Sequence, residues 1–130
     1  MEEPMTDSVL VAEHPAGDRV VGQLTLNVEK TLNSLTREMV DIITDRLEAW
    51  AGDDNVVVVL IDGAGEKAFC AGGDVQALRN SCLENPGGPC EYAEHFFARE
   101  YRMNYLLHTY RKPLICWGHG VVMGLSLIHI

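Results

Sequence analysis

Positive charge is scarce in this 130-residue chain: 10 lysines and arginines face 19 aspartates and glutamates, for a formal net charge of −9. That balance disfavours non-specific binding to nucleic acid or to an anionic membrane, and solubility is its simplest consequence. Long apolar runs are missing too, none approaching the ~20 residues that a helix needs to cross a bilayer. The four cysteines, Cys70, Cys82, Cys90 and Cys116, include no C-x-x-C pair and do not combine with nearby histidines at zinc-finger spacing. A structural metal is therefore not expected, and reduced thiols fit a cytoplasmic location. The acidic start, residues 1–7, has neither the basic segment nor the apolar stretch of a secretory signal. With no internal repeat and no low-complexity segment, one modest domain with a real core is the most that this length promises.

What is present alternates between strand-like and helix-like segments. Residues 9–13 and 19–26 read as two strands joined across His14-Pro15-Ala16-Gly17-Asp18, which has turn chemistry. Asn33-Ser34-Leu35-Thr36 leads into an amphipathic helix. Its apolar face is Met39, Val40, Ile42, Ile43, Leu47 and Trp50, and Arg37, Asp41, Thr44, Asp45 and Glu48 lie opposite, with only Arg46 intruding. Residues 56–61 form an unbroken β-branched apolar run, of the kind normally covered on both faces. A glycine-rich stretch and a short helix from Asp74 follow, then a loop over residues 85–89. A second long helix over residues 91–110 gives way at Lys112-Pro113. Residues 114–117 read as a short buried strand, ahead of the glycine-bearing residues 118–124. Strand, helix, strand, glycine loop, helix, strand is an α/β order with parallel crossovers.

Chemistry concentrates in Gly63-Ala64-Gly65-Glu66-Lys67-Ala68-Phe69-Cys70-Ala71-Gly72-Gly73-Asp74, a glycine turn between a buried strand and a helix start. Gly72 and Gly73 let a backbone amide approach a ligand oxygen with no Cβ in the way, and the helix that follows adds its N-terminal dipole. A carbonyl oxygen gaining negative charge would be stabilised there, one such donor being worth ~10²–10³ in rate. On this reading the N–H groups of the 71–74 bend converge on a hollow. The alternative is a plain strand-to-helix turn in which Asp74 caps the helix. A dinucleotide-type phosphate loop is disfavoured, because Gly63-Ala64-Gly65 lacks the third glycine at its required offset.

Glu100 is the other candidate. Phe96, Glu100, Met103 and Leu107 follow i, i+4, i+7, i+11 spacing, which sets a carboxylate in the middle of an apolar stripe. A buried acid without a partner is costly, so it should meet a ligand, a cation or a hydrogen-bond partner, with a raised pKa. Alternatively it lies at the stripe's edge near Asn104, reaching water or a nearby arginine. Cys70 with His119 could in principle supply a thiol nucleophile and its base, but nothing in the sequence supplies the orienting third group.

Lys67-Ala68-Phe69-Cys70-Ala71-Gly72-Gly73-Asp74 resembles the hallmark loop of the crotonase superfamily. Three more segments agree in order. Glu29-Lys30-Thr31-Leu32-Asn33-Ser34-Leu35 resembles that family's first coenzyme-binding loop, while Arg111-Lys112-Pro113-Leu114-Ile115 and Gly118-His119-Gly120-Val121-Val122-Met123-Gly124 resemble its strand and second oxyanion loop. Phe96-Phe97-Ala98-Arg99-Glu100-Tyr101 is similar to the F-F-x-x-E-Y segment of the 3-hydroxyisobutyryl-CoA hydrolase branch.

The resemblance implies an α/β fold of the crotonase-like ββα superhelical type, with residues 1–124 as the N-terminal portion of the domain. It implies an acyl-CoA substrate, with coenzyme A as part of that substrate and no separate cofactor, and it allows a homo-oligomer at full length. By the same carry-over Gly73 and Gly124 are catalytic backbone donors, while Gly72, Asp74 and Glu100 touch the substrate. Lys30, Thr31, Leu32 and Ala71 lie against the adenine and pantetheine of coenzyme A. Residues 125–130, Leu-Ser-Leu-Ile-His-Ile, depart from the family's glycine run and resemble translated sequencing-adaptor read-through. The acid–base carboxylates that the family implies fall beyond that point, so the 130-residue chain is expected to be inactive and to expose apolar faces. Thioester hydrolysis is the favoured activity, with enoyl-CoA hydration or isomerisation and a non-catalytic assembly module as alternatives.

Overall fold

From Gly22 onward, every second residue of β2 (Arg19–Leu26) is buried, so Gly22, Leu24 and Leu26 face the core while Gln23 and Thr25 point the other way. This and the other elements come from a computed structural model that describes residues 8–84, 86–88 and 90–122. Strand β1 (Val9–Ala16) pairs antiparallel with β2, Val9 opposite Leu26 and Ala16 opposite Arg19. The first strand is three residues longer than its sequence pattern suggests, and the turn shrinks to Gly17-Asp18, with Gly17 at φ +70°. Pro15 is tolerated because β1 is the edge of its sheet, where a missing N–H breaks no second ladder.

Helix α1 (Arg37–Ala51) starts at Thr36, whose Oγ1 accepts the Met39 N–H at 3.2 Å. It buries Met39, Val40, Ile43, Leu47 and Trp50, the face expected from its periodicity. Gly22 makes that packing possible: a Cβ there would lie 2.7 Å from the Trp50 ring. Strand β3 (Val56–Gly63) then runs parallel to β2, and β5 (Leu114–Cys116) runs parallel to β3, giving a four-stranded sheet in the order β1-β2-β3-β5. Between them come β4 (Ala68–Cys70), α2 (Val75–Glu84) and α3 (Glu91–His108), and β4 pairs in parallel with the two-residue β6 (Val121–Val122). Helix α1 lies against β1, β2 and α3, and α3 also packs on α2. Among the described residues no helix is long and apolar enough to cross a membrane.

Two expectations about burial do not hold. Only one face of β3 is covered: Val56, Val59 and Ile61 are buried, but Val57 is exposed and Val58 and Leu60 are half-buried. Nor is β5 buried, for Ile115 is 50% exposed and the adjacent Trp117 68%. The cause is shared. The helices line one side of the sheet, and no described strand pairs beyond β5.

Candidate functional site

The bend after β4 is built by Gly72, whose φ of +94° is open to glycine without a steric penalty. Leu35 clamps it from the facing segment: its N–H donates to Gly72 O at 2.7 Å, and its carbonyl accepts the Asp74 N–H at 2.8 Å. This is a parallel bridge between Leu35 and Gly73, in which the groups flanking Gly73 are used and its own N–H points away. Ala71 N–H donates to Leu32 O at 3.0 Å and Gly72 N–H to Cys70 Sγ at 3.3 Å. The expected convergence of the whole bend on a hollow is therefore corrected. Two of its four N–H groups, those of Ala71 and Asp74, sew it to residues 32–35, the Gly72 N–H turns back to Cys70, and Gly73 alone keeps an N–H with no partner among the described residues. Asp74 Oδ1 accepts the Ala77 N–H at 3.2 Å, so the capping reading of Asp74 is realised beside that free amide.

Helix α3 delivers the second group. Its buried residues are Phe96, Glu100, Met103 and Leu107, the stripe read from spacing, and Glu100 is only 8% exposed. The alternative in which an arginine neutralises it fails, because Arg99 pairs with Asp41 at 2.7 Å and Arg102 with Glu48 at 3.1 Å, both on α1. No hydrogen bond to a described residue involves the Glu100 carboxyl, and burial pushes its pKa up. A Cβ placed on Gly73 would lie 3.2 Å from Phe96 Cε2 and 3.9 Å from Glu100 Oε2. The fold thus brings the one free amide of the bend and the one buried carboxyl among the described residues to the same spot.

A cleft of about 540 Å³ is lined by Glu29, Lys30, Leu32, Asn33, Ala64, Gly65, Glu66, Lys67 and Ala68. Two of the expected coenzyme residues, Lys30 and Leu32, line it. Thr31 does not, since its Oγ1 is turned back to Val28 O at 3.2 Å, and Ala71 is reached only through its bond to Leu32 O. Lys30 and Lys67 provide cationic groups on the lining, offset by Glu29 and Glu66. The lining includes neither Gly73 nor Glu100, so the cleft does not enclose the amide.

Asn33 was not singled out by sequence, yet it organises this cleft. It is 1% exposed; its Oδ1 accepts the Val28 N–H at 2.7 Å, and its Nδ2 donates to Ala64 O at 3.1 Å and Ala68 O at 3.0 Å. Leu32 and Asn33 both adopt left-handed backbone, at φ +55° and +57°. For a bulky residue such as Leu32 that costs about 1–3 kcal/mol, comparable to the total from three hydrogen bonds at about 1 kcal/mol each. The available clue was the residue type, since asparagine is enriched at positive φ. His119 is a second loop anchor, with Nε2 2.8 Å from Gly65 O and its carbonyl accepting the Phe69 N–H at 2.8 Å. Its ring is thereby committed to the loop, not to activation of Cys70. Gly124 and residues 125–130 lie outside the described residues, as do Asn85 and Pro89 of the 85–89 loop.

Parallel strands joined by helices, with a glycine bend that keeps one amide free, define a crotonase-like fold. Its relatives make the class specific. A family described as enoyl-CoA hydratase/isomerase matches residues 21–126, and the chain belongs to that family. It is 41% identical over 103 residues to the mitochondrial 3-hydroxyisobutyryl-CoA hydrolase of Danio rerio, covering 79% of this chain and 26% of that protein. It is also 40% identical over 99 residues to small ribosomal subunit protein mS47 of Neurospora crassa, across 76% of this chain and 19% of that one. Among solved structures, a carnitinyl-CoA dehydratase from Mycobacterium thermoresistibile is 43% identical with a TM-score of 0.81, over 93% of this chain and 33% of that one. The chain thus spans about a quarter of the length of the hydrolase it matches.

Proposed function

We propose that the intact protein hydrolyses a short 3-hydroxyacyl-CoA thioester of the 3-hydroxyisobutyryl type, as in valine breakdown, to free coenzyme A and the hydroxy acid. Coenzyme A lies along the cleft, its phosphates within reach of Lys30 and Lys67 and its pantetheine passing the Lys30 to Leu32 backbone. The thioester oxygen accepts the Gly73 N–H, which strengthens as that oxygen gains charge under attack by water, and Gly124 supplies the second donor. Glu100, kept protonated to higher pH by burial, both donates to and accepts from the hydroxyl of the acyl group. One observation carries this reading: a free amide and an unpartnered buried carboxyl meet beside Gly73. The 41% identity to a 3-hydroxyisobutyryl-CoA hydrolase supports the acyl group chosen.

Product analysis on the intact gene product tests it. Release of free thiol from 3-hydroxyisobutyryl-CoA is expected, together with a loss of at least about 100-fold in Gly73→Pro, which removes the donor. Hydration of an enoyl-CoA without thiol release would replace hydrolysis by the second reading, which the likeness to a carnitinyl-CoA dehydratase favours. A third reading, a non-catalytic assembly module, is favoured by the likeness to a ribosomal subunit protein. Absence of coenzyme A binding in calorimetry would select it.

A further inference from the structure

We propose that Asn33 is a positioning residue that couples the coenzyme cleft to the Gly73 amide, so that one side chain sets both affinity for coenzyme A and the placement of the oxyanion donor. It rests on the acyl-CoA reading of the cleft and goes beyond it. Three segments meet on Asn33: its oxygen takes the Val28 N–H at the head of the 29–32 loop, and its amide group bridges the Ala64 and Ala68 carbonyls on the opposite wall. Loop residues Lys30 and Leu32 and wall residues Ala64 and Ala68 all line the cleft, so the width of the cleft is set by this side chain.

The same contacts continue to the bend. Ala68 opens β4, the strand that ends at Cys70 one residue before the bend, and Leu32 O receives the Ala71 N–H. Leu35 then fixes Gly72 and Asp74 on either side of Gly73. A side chain that only filled space would not need all of its hydrogen-bonding groups to point at three separate backbone segments. Here the oxygen accepts one N–H and both amide hydrogens meet carbonyls, which leaves only one lone pair of the oxygen uncommitted. Its influence on the reaction runs through Leu32 and Ala68.

Asn33→Gly separates the two things asparagine does, because glycine keeps the positive φ and loses the three contacts. In the 130-residue chain, amide exchange at Leu35, Ala71 and Asp74 should accelerate about tenfold or more, while Leu24 and Val59 in the β2–β3 ladder keep their protection. Affinity for coenzyme A, measured by calorimetry, should weaken about tenfold, and in the intact gene product KM and kcat should worsen together. Equal exchange rates at the three amides, or unchanged affinity, would overturn the proposal. If the glycine variant does not fold, Asn33→Asp carries the test: it retains the acceptor for Val28 and turns an oxygen toward the two carbonyls. The same selective loss is expected, and a uniform loss across β2 and β3 would reduce Asn33 to a fold residue. Failure of the parent chain to bind coenzyme A sinks the functional reading instead, and the exchange pattern still decides the coupling.

Discussion

Asn33 and Glu100 are the two buried polar side chains among the described residues that the core does not exclude, at 1% and 8% exposure, and their surroundings differ completely. Around Asn33 every polar group is matched within the protein, two successive residues sit at positive φ, and two loops are bound into one wall. Glu100 instead has a carboxyl oxygen 3.9 Å from where a Cβ on Gly73 would stand, and its carboxyl hydrogen-bonds to no described residue. Burial alone therefore does not mark a functional residue. A satisfied buried group stabilises a shape, whereas an unsatisfied one is a cost that persists where something outside the chain offsets it.

The contrast can be broken most severely at Asn33. Asn33→Leu takes the partner from the buried Ala68 carbonyl and from the half-buried Val28 N–H and Ala64 carbonyl, and at about 1–3 kcal/mol for a fully buried group the loss should reach ~3 kcal/mol in a urea titration. Gly73→Ala comes next. Its closest contact would be the edge of the Phe96 ring at 3.2 Å, with Glu100 Oε2 at an ordinary 3.9 Å, so a cost of about 1 kcal/mol is expected, at the low end for overpacking. A midpoint shift as large as that of Asn33→Leu would show that the spot beside Gly73 is packed solid.

A smaller effect of opposite sign is expected at Glu100. Burial raises its pKa above the ordinary 4.5, so between that value and the raised one the folded chain holds more protons than the unfolded chain. Stability is then fully present below pH 4.5 and lost as pH rises through the folded pKa. Glu100→Gln should remove this slope, gaining on the parent at pH 7 and not at pH 4. Parallel pH–stability curves for the two proteins would mean that Glu100 is hydrated or paired after all. The least consequence should follow Arg102→Ala: its pair with Glu48 is 72% and 47% exposed, and a change within about 0.5 kcal/mol is expected from thermal unfolding.

Much of the architecture was legible because it follows from periodicity. The stripe of Phe96, Glu100, Met103 and Leu107 and the α1 face from Met39 to Trp50 are consequences of 3.6 residues per turn, which sequence spacing states directly. The extra length of β1 was not legible, since Pro15 argues against a strand until one knows that the strand lies at an edge. The exposure of β3 and β5 was missed for a related reason: a β-branched run shows that a strand can be covered, but the covering layer is supplied from elsewhere in space. Asn33 escaped because its three partners are 5, 31 and 35 residues away, and no local pattern encodes them.

The order of residues alone determined the helix faces, the glycine bend at Gly72-Gly73, the acid within an apolar stripe and the family to which the chain belongs. Tertiary structure decided which amide of the bend stays free, that Glu100 stands beside it, and that Asn33 ties the two cleft walls together. Local spacing specifies which way a side chain points from its own element. Only the packing of distant elements specifies what it points at, and chemistry depends on the second.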